Sequence, residues 1–506
     1  MGIIKRQAIK QSIVNYLGVV IGAISVVFIY PLATETVGLA RFLIDTATLT
    51  APFLLLGFGG VTIKFFPEFK TEDGENNGFL SFILSIPAIS ILLFSVLALI
   101  FRSPIQAYLE RTGKEESTQE FWIYFIPIAI CLAFFQLLYN YSTNYGRITV
   151  PAIFQNFIKV VLPTVVLLWY YDLIDLPILV WALVANFIIA LAAIIFYLKK
   201  LGYLKFGGKW NHLTTDRRRR VFNYALFGLF GGIGSVLAFR IDSFMISTLI
   251  DLQSNGVFTI AAFIGNAIAI PTNAVNQISS PILTKAIRES DFEEVNKIYK
   301  GASINLLAVG LMLFVLVACS VGNLFQLMPF KEEWTNDPAF IKQGVTIVLL
   351  VGFARIIDMA TSVNNPIINF SPYYRFGLYA ILVLGIFNIF TNLFFIKTLG
   401  LGIIGVALAT LVALSLYNLV KLIFIYWKFG IHPFSLTTLK LFLFAGLALI
   451  AAFFIPSSGT SMWNIILDIA IKSVIVVGVY LPLILRFKVS PDINAVATEL
   501  INRFRK

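Results

Sequence analysis

Apolar runs of about eighteen residues or more recur along the whole chain with short polar breaks between them. This is the pattern of helices that cross a bilayer. The runs lie at 11–32, 42–63, 78–101, 121–142, 150–170, 177–198, 222–249, 257–281, 301–325, 340–366, 377–396, 403–426, 441–456 and 464–485. They predict an all-α integral membrane protein of about fourteen transmembrane helices. The first run continues to Tyr30-Pro31, past the length of a cleavable signal core, so an uncleaved first helix is expected.

Composition agrees with the pattern. Of 506 residues, 58% are apolar and 13% charged, and mean hydropathy is +0.88. Soluble domains are about 25% charged, so a water-soluble enzyme, a disordered chain and a disulfide scaffold are excluded. An outer-membrane barrel is disfavoured because its strands alternate polar with apolar residues. Cys131 and Cys319 are the only thiols and sit in apolar runs, while His212 and His432 sit in polar loops. No metal-ligand spacing results. No Walker loop and no grouping of Ser, His and Asp is present, so neither enzymatic chemistry nor a cofactor is expected.

The net charge of +12 is explained by topology. With the N-terminus in the cytoplasm, cytoplasmic segments hold 26 of the 38 Lys and Arg, as the positive-inside rule requires. Both termini are then cytoplasmic. The charge fits anionic membrane lipids rather than nucleic acid. The densest basic stretch, 199–221, includes Lys199, Lys200, Lys205, Lys209 and Arg217-Arg218-Arg219-Arg220. It divides the chain into a six-helix lobe at 1–198 and a second at 222–426. Two further helices and a basic tail follow at 427–506. Gly18, Gly22 and Ser25 of the first run align with Gly228, Gly232 and Ser235 of the seventh. Pro52 follows Gly38 as Pro271 follows Gly256. These correspondences point to two pseudo-symmetric lobes, an arrangement that places a binding site between halves. Gly57-Phe58-Gly59-Gly60 and the Gly228/Gly232 pair read as close-packing points.

Ionisable groups inside the runs carry the functional information. A charge at a helix centre costs about 2.5–3.5 kcal/mol on the insertion scale, so each needs a partner or a wet cavity. Lys159 stands mid-run with no acid within a turn. Either an acid on another helix neutralises it or it faces a cavity. Arg240 and Asp242 are two residues apart and point to different sides of their helix. Arg355 and Asp358, three apart, can meet on one face. Asp468 and Lys472 read as a local pair, and Lys64 and Lys421 as side chains that snorkel to the surface. Lys159, Arg240 and Arg355 form a cationic set suited to an anionic substrate. Asp45, Asp242 and Asp358 are candidates for ion coupling.

Three stretches resemble one family. They are Leu54–Phe69, with its Lys64-Phe65-Phe66-Pro67 corner; Arg240–Ile246 followed by Gly256–Ala262; and Asn388 and Asn392 followed by Leu399–Thr410. Together they resemble the polysaccharide (O-antigen type) flippases of the multidrug/oligosaccharidyl-lipid/polysaccharide exporter superfamily. That resemblance implies two six-helix lobes, an alternating central cavity and two extra C-terminal helices. It also implies a bacterial inner-membrane flippase that moves polyprenyl-pyrophosphate-linked oligosaccharide to the outer leaflet by alternating access. The product would be surface polysaccharide such as the O-antigen of lipopolysaccharide, with glycosyltransferases and a polymerase of the same pathway as partners. The alternative within the superfamily is a cation-coupled small-molecule or drug exporter.

Overall fold

The computed structural model describes residues 3–72, 74–111, 115–207, 214–331, 337–455 and 461–504. His212 and Lys209 lie outside them. Helices make up nearly all the described chain. Among the described residues, twelve helices are long and apolar enough to span a membrane. Leu252–Ala267 and Ile270–Arg288, bent by 46° at their junction, make a thirteenth. The first helix, Ile3–Phe28, carries the shorter apolar stretch Val14–Phe28. Each of the fourteen apolar runs therefore corresponds to a helix or a broken pair of helices.

The helices overrun the hydropathy boundaries where polar residues extend them. Thr215–Leu249 has 35 residues and Phe292–Leu327 has 36, whereas about 20 suffice to cross the hydrocarbon. Their extra turns are polar and capped. Thr214 accepts from the Arg217 amide, and Asp291 accepts from the Glu294 amide. A further helix, Arg102–Arg111, forms where the sequence suggested only a loop.

The chain divides into two compact units, Met1–Val257 and Phe258–Lys506. The division falls after Thr215–Leu249 because that helix packs along Thr34–Leu55. The sequence placed the boundary in the basic stretch before it. Thr34–Leu55 also meets the start of the next helix, Leu252–Ala267, through backbone contact. A Cβ on Gly38 would sit 1.8 Å from the Leu252 carbonyl oxygen, and one on Gly256 would sit 2.0 Å from that of Thr34. The two glycines let their helices meet main chain to main chain.

Pro52 ends the Thr34–Leu55 helix within a turn. Leu56 and Gly57 follow with left-handed backbone, and Phe58–Lys64 resumes as a new helix. The next corner, Phe66–Phe69, is tied down by Glu68. Its carboxylate lies 3.3 Å from Arg217 Nε and 3.0 Å from Arg220 Nη2. Two members of the arginine run are thus engaged by protein. These groups are part-exposed, and such pairs are worth about 1 kcal/mol at most. Glu68→Gln should therefore lower the melting temperature in detergent only slightly. A large drop would show that the corner carries more of the fold than its exposure suggests.

In the second unit, Leu436–Phe453 and Met462–Arg486 pack against Phe292–Leu327. Leu441, Ala445, Ala448, Val476 and Tyr480 join Leu307 and Leu311 in one buried cluster. The last two spans are thus built into this unit's core.

Candidate functional site

The broken helix around Pro52 opens a cleft of about 410 Å³ in the first unit. Its walls come from Thr34–Leu55, Phe125–Thr143, Thr149–Asn156 and Thr215–Leu249. Small residues at Gly59, Gly60, Gly228 and Gly232 keep it open. Its polar groups are few. Gln136 Nε2 donates to Asn140 Oδ1 at 3.1 Å, and Asn140 Nδ2 donates to the Gly59 carbonyl at 3.0 Å. Thr48 and Gln155 add a hydroxyl and an amide. An apolar wall with a few convergent polar groups is the usual make-up of a ligand site.

Arg240 supplies the charge. Its guanidinium lies 3.5 Å from Asp45 Oδ1, an ion pair without hydrogen-bond geometry. The two ends differ sharply in exposure, the Arg240 side chain being 53% exposed and that of Asp45 6%. Asp45 therefore holds one edge of the guanidinium while the rest faces the cleft. One turn before Asp45, Arg41 occupies the same helix face. Its Nε is buried and has no hydrogen-bond partner, although its side chain also bonds Tyr30.

Lys159 is half-buried on the helix Ile158–Tyr170. It does not line the cleft, but Gln155, one turn earlier, does. Lys159 and Asn156 crowd the backbone of the first helix, where a Cβ on Gly18 would be 3.1 Å from the Lys159 ammonium. Arg41 is its electrostatic neighbour. Arg240 thus pairs with Asp45, Arg41 lies one turn from Asp45 on the same helix, and Lys159 neighbours Arg41, so basic groups outnumber the one acid in this part of the first unit. The local field favours an anion.

Arg355 lies in the second unit, where its Nε donates to Asn266 Oδ1 at 2.6 Å. Asp358 accepts from Asn418 Nδ2 at 3.1 Å. Asp242 is part-buried on the Thr215–Leu249 helix. Among the six candidates, Arg240 and Asp45 meet in an ion pair.

Lys421 overturns its snorkelling assignment. It is 1% exposed. Its ammonium donates to Asn365 Oδ1 at 3.1 Å and sits 3.9 Å from the centre of the Tyr417 ring. The helix turns this side chain toward Asn364–Phe370, so polar protein partners take the place of surface water. Lys64, in contrast, is exposed, with its ammonium 4.0 Å over the Tyr224 ring.

Sequence reasoning missed Arg41 because it falls one residue before the run drawn at 42–63. Its i,i+4 spacing to Asp45 was the available signal.

The sequence profile of the polysaccharide biosynthesis protein family matches residues 6–287. The chain belongs to that family. The match takes in all of the cleft and its cations. A comparison with curated proteins gives no match. Among solved structures, this polysaccharide biosynthesis family member has the fold of the lipid II flippase MurJ in an inward closed conformation. The TM-score is 0.66 and the identity 16%, covering 95% of this chain and 100% of that one. An inward-facing MATE-family multidrug resistance transporter of the MOP superfamily aligns at TM-score 0.60 and 13% identity. That alignment covers 82% of this chain and 94% of the other. The Vibrio cholerae MATE transporter VcmN in its bent form aligns at TM-score 0.50 and 13% identity, covering 85% and 98%. The family member is therefore a multi-pass membrane protein with a MurJ- and MATE-like transporter fold.

Proposed function

We propose that this protein is a flippase, not an enzyme, which carries polyprenyl-pyrophosphate-linked oligosaccharide from the cytoplasmic to the outer leaflet of the bacterial inner membrane. The route is alternating access by rocking of two lobes, with both termini cytoplasmic. The product feeds surface polysaccharide such as O-antigen, made with glycosyltransferases and a polymerase of the same pathway. The observation that carries the reading is the half-exposed Arg240 guanidinium lining a cleft of the first unit. Membership of a polysaccharide biosynthesis family supports the sugar assignment.

The physics fits the task. An unpaired hydroxyl costs about 4–8 kcal/mol to move into hydrocarbon, so a sugar headgroup cannot cross unaided. A wet cleft removes much of that cost, and fixed cations offset the desolvation of a pyrophosphate. The prenyl chain stays in lipid. Lys159, Arg240 and Arg355 contact phosphate or sugar in this scheme. Asp45, Asp242 and Asp358 are the groups that would bind a coupling cation.

The test is reconstitution of the purified protein in vesicles with a lipid-linked oligosaccharide, read by accessibility of the headgroup to an external lectin. An inside-negative potential should speed outward transfer, since each charge moved is worth about 2.3 kcal/mol per 100 mV. An ionophore that collapses the potential should slow it. Vesicles in which the headgroup never reaches the outside would overturn the flippase reading. The buried Asp45 carboxylate beside the cleft favours a second reading, a cation-coupled small-molecule exporter. Drug resistance on expression, with surface polysaccharide intact on deletion, would select that alternative.

A further inference from the structure

The second unit carries an apolar groove that the proposed transport does not use. It runs between Tyr374–Leu393 and Gly402–Phe429 and has a volume of about 200 Å³. Phe376, Tyr379, Val383 and Phe387 line one side at helical spacing, and Leu416 and Val420 line the other. Almost none of its surface is polar. Tyr379, Val383, Leu416 and Val420 are all exposed. Both helices are candidate spans, so what bathes these side chains is hydrocarbon. From Phe376 to Phe387 the groove is about 16 Å long at 1.5 Å per residue. That is close to one leaflet of a hydrocarbon core about 30 Å thick.

One end of the groove differs from the other. Phe376 stacks on Phe424 with ring centres 3.7 Å apart and closes it. Directly beyond stand Tyr373, Tyr374, Arg375, Trp427 and Lys428. Tyr and Trp at the end of a span mark the level of the headgroups. The Lys428 ammonium lies 3.8 Å from the Trp427 ring centre and 5.2 Å from that of Tyr373. Arg375 rests over Tyr374 at 6.0 Å. Neither cation has a carboxylate within 4 Å among the described residues. Two unpaired cations thus flank the headgroup end of a leaflet-long apolar slot, and basic pockets between spans suit anionic lipid headgroups.

We propose that this groove is a binding site for an anionic phospholipid, with one acyl chain in the slot and the phosphate between Arg375 and Lys428. The lipid is a resident of the site rather than cargo. Its chain lies against Tyr417, whose hydroxyl donates to Asn365 Oδ1 at 3.3 Å and whose ring carries the Lys421 ammonium. An occupied groove therefore pins the ring on which the buried Lys421 rests.

The full-length protein, purified into phosphatidylcholine nanodiscs and exposed to phosphatidylglycerol, tests the site by native mass spectrometry of the retained lipid. Wild type should retain phosphatidylglycerol over phosphatidylcholine. The Arg375→Gln/Lys428→Gln double variant should lose that preference about thirty-fold, because each basic residue contributes roughly a six-fold factor. Val383→Trp, which fills the slot from a lipid-facing position, should lose bound lipid of both kinds. Arg375 and Val383 are exposed and Lys428 is half-buried with no ion pair among the described residues, so the variants should extract and melt as wild type does. Unchanged phosphatidylglycerol preference in the double variant overturns the proposal, as does undiminished lipid in Val383→Trp. Displacement of phosphatidylglycerol by an isoprenoid phosphate with the same residue dependence overturns it in favour of a cargo site. A dimer that Val383→Trp splits, with no lipid released, overturns it in favour of a subunit interface.

Discussion

Replacing Arg240 with glutamine should cut surface-polymer export about ten- to hundred-fold while the protein still accumulates in the membrane. The substitution removes the charge that faces the cleft and leaves Asp45 without its counter-ion. A lost hydrogen bond to a charged group is worth about 1.5–3 kcal/mol, which corresponds to a ten- to hundred-fold fall in transport. Stripping one member from a buried pair also destabilises a protein, by about 3–5 kcal/mol. Asp45 is buried but Arg240 is half-exposed, so the cost here should be smaller. The Asp45→Asn/Arg240→Gln double variant separates the two effects. It should recover any lost stability and remain impaired in transport. Arg240→Lys should keep partial activity, since a point charge replaces a planar fork. Substituting Lys159 or Arg355 should likewise cut export. Normal export in a triple alanine variant of Lys159, Arg240 and Arg355 would remove the assignment, and recovery of transport in the neutral double variant would reduce Arg240 to a structural ion pair.

The second large effect is expected at Gly57. Its φ is +78°, and an added Cβ would lie 1.8 Å from the Ala225 carbonyl oxygen. A left-handed backbone costs a non-glycine residue about 1–2 kcal/mol, and forced overpacking adds about 1–3 kcal/mol. Gly57→Ala should therefore reduce the yield of monodisperse protein and lower its melting temperature by several degrees. Gly446 provides the control. It lies inside Leu436–Phe453 with nothing near its missing Cβ. Gly446→Ala should be neutral or stabilising by up to about 1 kcal/mol, since alanine is the better helix former. Equal melting temperatures for the two variants would show that the Pro52–Gly57 break is not held by this contact. The break forms one wall of the cleft, so a Gly57→Ala protein that does fold should also transport poorly.

The architecture was legible because hydrocarbon imposes a one-dimensional constraint. A chain must offer about 20 apolar residues to span it, and all fourteen runs became helices or broken pairs. Hydropathy did not register where polar turns continue a helix into water, as at Thr215–Arg220 and Phe292–Lys300, because it measures transfer rather than backbone hydrogen bonding. It also stopped the second run short of Arg41, which the helix includes near its start.

By itself the sequence determined that the protein lives in a membrane, where its helices fall, which charges sit at depth and which family it resembles. Each follows from local composition. Only the tertiary structure decided what those charges touch: Asp45 for Arg240, Arg41 beside Lys159, Asn266 for Arg355, and Asn365 with Tyr417 for Lys421. A charge's partner depends on how each helix is rotated and which helix lies beside it. Those choices are made by close contacts such as Gly38 on Leu252 and Gly57 on Ala225, between residues far apart in the chain, and no local pattern encodes them.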